Sequence, residues 1–326
     1  MGIESSCDET AASVVVGSKV LSSVIASQTA MHEKWGGVVP EAAARAHVEA
    51  ILPVILEALE VAKIGFQDLA GIAVTNRPGL VGALSVGVVA SKMLSLELGL
   101  PLIGVHHLEG HLVSPMLDSE PLPYPHMSLI ASGGHTEVVL VRAPFEYEIV
   151  AETLDDAAGE AFDKSARLMG LGIPGGAAIQ RAAPGGNPRR YPLPRGVPDH
   201  PDAFSFSGLK TAVLRAVEAA GPDLAVADLC ASVQEAIVDA LSRKVLALLE
   251  QSGSSCLCLV GGVAANVALR ERLGAGCDRL GATFRCPEMR YCTDNAAMIA
   301  LAGSLRLAAG FQDDLDLDCF PNADLP

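Results

Sequence analysis

The stretch MSLIASGGHTEVVLVR, Met127 to Arg142, decides the fold. Met127 to Ala131 is apolar and ends in a polar, glycine-rich turn, Ser132 to Thr136; Glu137 to Arg142 then resumes a strand. The same strand, polar turn, strand arrangement opens the chain, where Gly2 to Val16 reads GIESSCDETAASVVV and Val20 to Ser27 continues as strand. Two copies of one opening, each followed by strands and helices, predict a duplicated α/β fold of two lobes. Polar turns and glycine-rich strand-to-helix turns in such a fold are expected to face a cleft that takes a phosphate-bearing ligand.

Working outward, apolar spacing predicts helices over Pro40–Leu59, Leu80–Leu98, 159–170, 208–220, 223–251 and 294–310, with another after GGVAAN (Gly261 to Asn266). Strands are predicted over Leu69–Thr75, Pro101–Val105, Cys256–Val260 and 282–286, and residues 171–202 read as loop. The tail from Phe311 is acidic and reads as irregular. The expected lobes are 1–111 plus 291–326, and 112–290.

The 326 residues are enough for about two domains at roughly 150 residues each. Hydrophobic residues make up 50% and charged residues 19%, which rules out a disordered chain. Aromatics are only 4%, so the cores must be built from Ala, Val, Leu and Ile. A formal net charge of -15 argues against a free-standing nucleic-acid binder, because phosphate contacts need Lys and Arg. A local patch or a partner must supply them, and Arg181, Arg189, Arg190 and Arg195 beside FSFSGLKTA (Phe204 to Ala212) form the best local candidate. The most apolar stretch, Leu80 to Leu100, carries Lys92 and Glu97 and reads as a buried helix, so no membrane association is expected. The N-terminus is acidic where a signal peptide is basic, and the eight cysteines form no CxxC pair. Both point to a cytoplasmic protein.

Several stretches carry chemistry, each with an ordinary alternative. Asp8 and Glu9 in SSCDET are either carboxylates near a ligand or a solvated turn. Gly133 and Gly134 in SGGHT either form an anion nest or serve a tight hairpin. GGVAAN points a helix N-terminus at its turn, with Asn266 placed to hydrogen-bond a ribose or phosphate; its glycines also suit plain strand–helix packing. In DDAAGEAFDKSARLMGLGIPGG (Asp155 to Gly176) the charges suit a solvated helix face, while Asp163 could accept from ribose hydroxyls. In VHHLEGH, His107 and His111 are four apart, so one helix face could present both rings to one ion. A zincin places its glutamate directly after the first histidine, whereas Glu109 here is two residues on. Two ligands do not complete a site; Asp294 in YCTDNAAM offers a third, and a buried turn without metal is the alternative.

Together IESSCDET, GGVVPEAAARAH, PGLVGAL, HHLEGH, SGGHT, DDAAGEAFDK, FSFSGLK, GGVAAN and CTDNAAMIA resemble the TsaD/Gcp family, in the family's order and nearly end to end. These are tRNA N6-adenosine threonylcarbamoyltransferases, relatives of the KEOPS catalytic subunit. The resemblance implies the duplicated α/β fold of actin, sugar kinases and heat-shock chaperone ATPases. It implies transfer of threonylcarbamoyl from threonylcarbamoyl-AMP to N6 of adenosine 37 in tRNAs reading ANN codons, with release of AMP. It implies one divalent metal, Fe2+ ahead of Zn2+, on His107, His111 and Asp294, which makes the two histidines catalytic together with Glu9. The adenylate falls to Ile130, Ala131, Ser132, Gly133, Gly134, Asp163, Gly176 and Asn266. Implied partners are tRNA, a TsaB-like paralogue and a TsaE-like ATPase, with a homodimer as another arrangement. His106 lies outside the ligand set and is read as a supporting residue. One departure stands out: Asn76-Arg77-Pro78-Gly79-Leu80 replaces the family's Gly-Pro-Gly-Leu, which predicts altered loop geometry or an added basic contact. The competing activities are a metal-dependent peptidase and a small-metabolite kinase of the same fold.

Overall fold

Both opening stretches fold into hairpins. Gly2–Glu4 forms β1, Glu9–Val16 β2 and Lys19–Ser27 β3. Next come α1 (Thr29–Glu33), α2 (Pro40–Ala62), β4 (Ile72–Arg77), α3 (Val81–Leu98), β5 (Leu102–His106) and α4 (His107–Val113). The second round holds β6 (His126–Ala131), β7 (Thr136–Ala143), β8 (Glu146–Thr153), α5 (Ala158–Leu168) and α6 (Gly175–Ala182). It continues through β9 (Ala203–Phe204), α7 (Ser207–Ala220), α8 (Val226–Ser252), β10 (Cys256–Val260), α9 (Val267–Leu280) and β11 (Thr283–Arg285), and α10 (Ala296–Ala308) closes the chain. This computed structural model describes every residue except Lys34, Gly36, Pro198, Asp199 and Pro201, and leaves out the side chain of Glu33. Gly36 of GGVVPEAAARAH and part of the 171–202 loop therefore lie outside the described residues.

The chain divides into two compact units, Met1–Pro121 with Thr293–Pro326, and Leu122–Cys292. Residues 112–121, expected in the second lobe, fall in the first. The reason is that α4 runs on through Val113, and Leu112, Met116 and Leu117 are buried. Conversely Tyr291 and Cys292 stay with the second unit. The first sheet has the order β3-β2-β1-β4-β5, and the second β11-β10-β6-β7-β8-β9. Apart from β9, the second order repeats the first. In each, one central strand pairs antiparallel with its hairpin partner and parallel with the strand beyond (β1 with β2 and β4, β6 with β7 and β10). Parallel pairs need long crossovers, and the helices between them supply those.

Two glycines fix close approaches. Gly261, after β10, has φ +88°, and a Cβ there would stand 2.5 Å from the Ala131 carbonyl oxygen. Gly110 lets α4 lie on α10, because a Cβ would come within 2.7 Å of Ile299 Cδ1. Ile299 is fully buried in that contact. Ile299→Ala is expected to lower folding stability by about 2–5 kcal/mol, read as a lower denaturant midpoint.

Three sequence expectations change. Residues 146–153 form β8, unannounced because only Ala151 along it is buried. Residues 175–182 of the predicted loop form α6, held by Ala178 and Ile179. Helix α3 was expected to be buried, yet it buries only one side, through Ala83, Leu84, Gly87, Val88 and Ser91. Val89, Met93 and Leu96 are 58%, 59% and 62% exposed, and Val48, Leu52 and Leu56 of the neighbouring α2 form a second exposed stripe. By length and composition α3 is apolar enough to cross a membrane. The replacement at Asn76-Arg77 also resolves: β4 slips register there, with Thr75 opposite Val105 and Arg77 opposite His106, so Asn76 is a bulge.

Candidate metal centre

The sequence places His107 and His111 on α4 immediately after β5, a strand whose five residues are all buried. Asp294 arrives from the other end of the chain. Asn295 caps α10 by accepting from the Met298 amide at 3.0 Å and donates to the Thr293 carbonyl at 2.8 Å, which holds the turn carrying Asp294. One ligand atom from each of His107, His111 and Asp294 lies within 4.8 Å of the others. Asp294 Oδ1 is 3.1 Å from His111 Nε2 and 3.5 Å from His107 Nε2. The two rings meet edge to face with centroids 4.8 Å apart. His111 is fully buried, and Asp294 is 27% exposed, so the cluster is open on one side only.

Behind it stands Glu4, which the sequence reading missed. Its Oε2 accepts from His107 Nδ1 at 3.1 Å and from the Thr75 hydroxyl at 2.6 Å, while Oε1 accepts from the Ser6 amide at 2.6 Å. A carboxylate can only accept, so His107 carries its proton on Nδ1 there and presents Nε2 to the cluster. The signal was visible in hindsight: a lone acid inside a buried strand needs a partner. His47, the last residue of GGVVPEAAARAH, was also missed. Buried, it takes the Thr10 hydroxyl at 2.7 Å and donates to the Cys7 carbonyl at 3.1 Å, bracing the SSCDET turn.

The electrostatics of the cluster couple its imidazoles to its carboxylates. Burial opposes charge on His107, but the Asp294 and Glu4 carboxylates outweigh it and hold the imidazole well above its ordinary range. Burial likewise pushes Asp294 up, and His107 with the hydrogen bonds from both rings brings it well below the carboxylate range. Nδ1 of His111 is buried with no hydrogen-bond partner among the described residues, so what fixes this ring is at Nε2. Two imidazoles and a carboxylate converging, with a second carboxylate orienting one ring, fit a divalent metal of the iron or zinc kind. Glu9 feels the charge of this cluster through Asp294. Its carboxyl accepts from Ser27 Oγ at 3.2 Å, and burial, then the Asp8 and Asp294 charges, push it up to about 9. Glu109 takes no part: it is buried in a two-oxygen pair with Arg306 at 2.8 and 2.9 Å.

In the second unit, Ile130 and Ala131 end the buried strand β6. Ser132 Oγ accepts from the Gly134 and His135 amides at 3.3 and 3.0 Å, so the turn spends part of its expected anion nest on itself. Gly133 and Gly134 face open space. Asp163 accepts from the Gly175 amide at 2.6 Å, which sets it beside the Gly175-Gly176 start of α6. Asn266 is committed at both ends of its amide, to the Leu269 amide at 3.0 Å and to Gln234 Oε1 at 3.1 Å. Two arginines of the patch are paired, Arg190 with Asp228 at 3.0 Å and Arg195 with Asp239, an acid that Arg243 also bonds at 2.9 Å. Ser205 and Ser207 donate to Asp155 at 2.6 and 2.7 Å rather than standing free for phosphate.

A family model described as "TsaD: tRNA N6-adenosine threonylcarbamoyltransferase" matches residues 19–301. A protein of that name from Symbiobacterium thermophilum is 49% identical over 100% of this chain and 96% of its own length. Its namesake from Desulfitobacterium hafniense is 48% identical over 100% and 97%. Among solved structures, T. kodakarensis HypF matches with TM-score 0.59 and 15% identity over 82% of this chain and 44% of its own. The activator of the 2-hydroxyisocaproyl-CoA dehydratase from Clostridium difficile matches with TM-score 0.52 and 12% identity, over 95% of this chain and 96% of its own. These structures show the fold, the duplicated actin-like ATPase and sugar-kinase architecture.

Proposed function

This chain belongs to the TsaD family of tRNA N6-adenosine threonylcarbamoyltransferases, and on that premise we propose that it transfers threonylcarbamoyl from threonylcarbamoyl-AMP to N6 of adenosine 37 in tRNAs reading ANN codons. The observation that carries the reading is the buried cluster of His107, His111 and Asp294, whose Asp294 comes from 183 residues beyond His111. A divalent cation bound there, Fe2+ or alternatively Zn2+, supplies Lewis-acid polarisation of a carbonyl or phosphate oxygen. Glu4 keeps the His107 ring in one tautomer and orientation, so the ligand set is formed before substrate arrives. In the transfer, N6 forms a bond to the carbamoyl carbon, the bond from that carbon to the AMP phosphate oxygen breaks, and N6 gives up one proton. Glu9, whose carboxyl is pushed up to about 9 and so keeps its own proton at neutral pH, is proposed as a hydrogen-bond donor to the departing phosphate oxygen, and the N6 proton passes to solvent.

The proposed adenylate contacts are Ile130 to Gly134, Asp163, Gly176 and Asn266. Support comes from the unobstructed Gly133-Gly134 turn and from Asp163 beside the start of α6. Asn266 would serve that site through the turn it caps rather than through a free amide. The peptidase alternative loses its base, because Glu109 is locked to Arg306. The test is to incubate the protein with tRNA, threonine, bicarbonate, ATP and the adenylate-forming enzyme, and to analyse the nucleosides by mass spectrometry. Threonylcarbamoylated adenosine is the expected product; phosphorylation of a small acceptor, or peptide cleavage without tRNA modification, would replace this reading.

A TsaB-like paralogue and a TsaE-like ATPase are the proposed protein partners, with self-association as the alternative. The paired arginines support shared tRNA binding, and the exposed apolar stripes of α2 and α3 support a helical partner surface. Leu52→Glu with Met93→Glu is expected to weaken paralogue binding at least about tenfold while leaving the melting temperature of the isolated chain nearly unchanged. Unchanged binding in a titration would move the interface elsewhere. The eight cysteines are all free, in keeping with a reducing cytoplasmic setting.

A further inference from the structure

Residues Asp313 to Ala323 form an irregular strap along β5 and the end of β4. At its start the Asp313 amide donates to the Leu102 carbonyl at 2.8 Å, and the Asp313 carboxylate accepts from the Gly104 amide at 2.7 Å. Leu317 is buried against Gly104. The bulge residue Asn76 then holds the strap twice: its Nδ2 donates to the Asp318 carbonyl at 3.0 Å, and its carbonyl accepts from the Phe320 amide at 2.9 Å. Gly79 donates to the Pro321 carbonyl at 3.2 Å. Asn76, next to the Arg77 that departs from the family's glycine, is thus an anchor for the strap. Its final contact falls on His106, whose Nε2 is 3.1 Å from the Ala323 carbonyl oxygen.

His106 is fully buried and is the N-cap of α4: its Nδ1 accepts from the Leu108 amide at 3.2 Å. A neutral imidazole has one acceptor and one donor nitrogen. Accepting at Nδ1 leaves the proton on Nε2, which the Ala323 carbonyl takes. The strap therefore fixes the tautomer that caps the helix. Helix α4 spans only seven residues, too few to hold its shape by intrinsic propensity, and it carries both metal-binding histidines.

We propose that His106 is a positioning residue for His107 and His111, locked into that role by the Ala323 carbonyl of the C-terminal strap. The inference rests on the metal reading of the cluster, and its test separates the two. The probe is Zn2+ alone, competed against a chelating dye, with the wild-type chain, His106→Gln, His106→Leu and a chain ending at Pro321. Wild type is expected to bind one Zn2+ per chain. His106→Leu, which neither accepts nor donates, is expected to weaken binding by roughly 10- to 100-fold, the range for a lost supporting hydrogen bond. His106→Gln, which can do both, recovers most of that affinity. The shortened chain weakens binding partway, and shortening adds nothing further to His106→Leu. Wild-type affinity in both His106→Leu and the shortened chain overturns the proposal, as does an equal loss in His106→Gln and His106→Leu. If His106→Leu does not fold, the shortened chain decides alone. A wild-type chain that binds no Zn2+ overturns the metal reading itself.

Discussion

His111→Ala is expected to abolish both metal loading and threonylcarbamoyl transfer. His111 is fully buried, and its Nε2 lies 3.1 Å from the Asp294 carboxylate, so it is one of three converging donors rather than a rim residue. Removing it leaves His107 and Asp294, and two protein ligands do not hold a structural or catalytic metal tightly. The loss is expected to exceed the roughly 10- to 100-fold that follows removal of a supporting group alone. Elemental analysis of the purified variant should find well under one metal per chain, and the tRNA should carry no modified adenosine. A thermal melt separates this from unfolding. A folded, metal-free variant with full transfer activity would remove the cluster from the mechanism.

Arg306→Met is expected to cost about 3–5 kcal/mol of folding stability, because it strands the Glu109 carboxylate in the interior. Glu109 is 1% exposed on its side chain, and the pair is bidentate at 2.8 and 2.9 Å. The two charges contribute little beyond an apolar pair of similar shape, but either one alone is costly. Adding Glu109→Gln to Arg306→Met should therefore recover much of the loss. Denaturant unfolding of the single and double variants checks both statements. A single variant as stable as wild type would mean that Glu109 finds another partner or water.

The duplicated fold was legible because both halves announce it in the same way, with a buried strand, a polar turn and a second strand. Strand β8 escaped notice because Glu146, Glu148 and Glu152 break its apolar pattern and only Ala151 is buried. Helix α6 begins at Gly175-Gly176, a poor helical start on propensity, and is held in place by packing. The three residues of the cluster could be picked out because His107 and His111 keep helical spacing and YCTDNAAM offered Asp294 as a third. Glu4 left only the hint of an acid inside an apolar strand, and His47 and His106 left none: each has a partner far along the chain, Glu4 in His107, His47 in Cys7 and Thr10, and His106 in Ala323. The acidic tail read simply as irregular for the same reason. Its hydrogen bonds reach back to residues 76–106, and no local pattern encodes them.

The central claim, that the histidine–aspartate cluster serves transfer to tRNA adenosine, is tested most directly by measuring modified adenosine against metal occupancy. The protein is stripped with a chelator, titrated with Fe2+ without oxygen, and supplied with threonylcarbamoyl-AMP, tRNA and the partner proteins. The account predicts conversion that rises in proportion to occupancy, reaches its limit at one metal per chain and vanishes again on chelation. Full conversion by the stripped protein would contradict it.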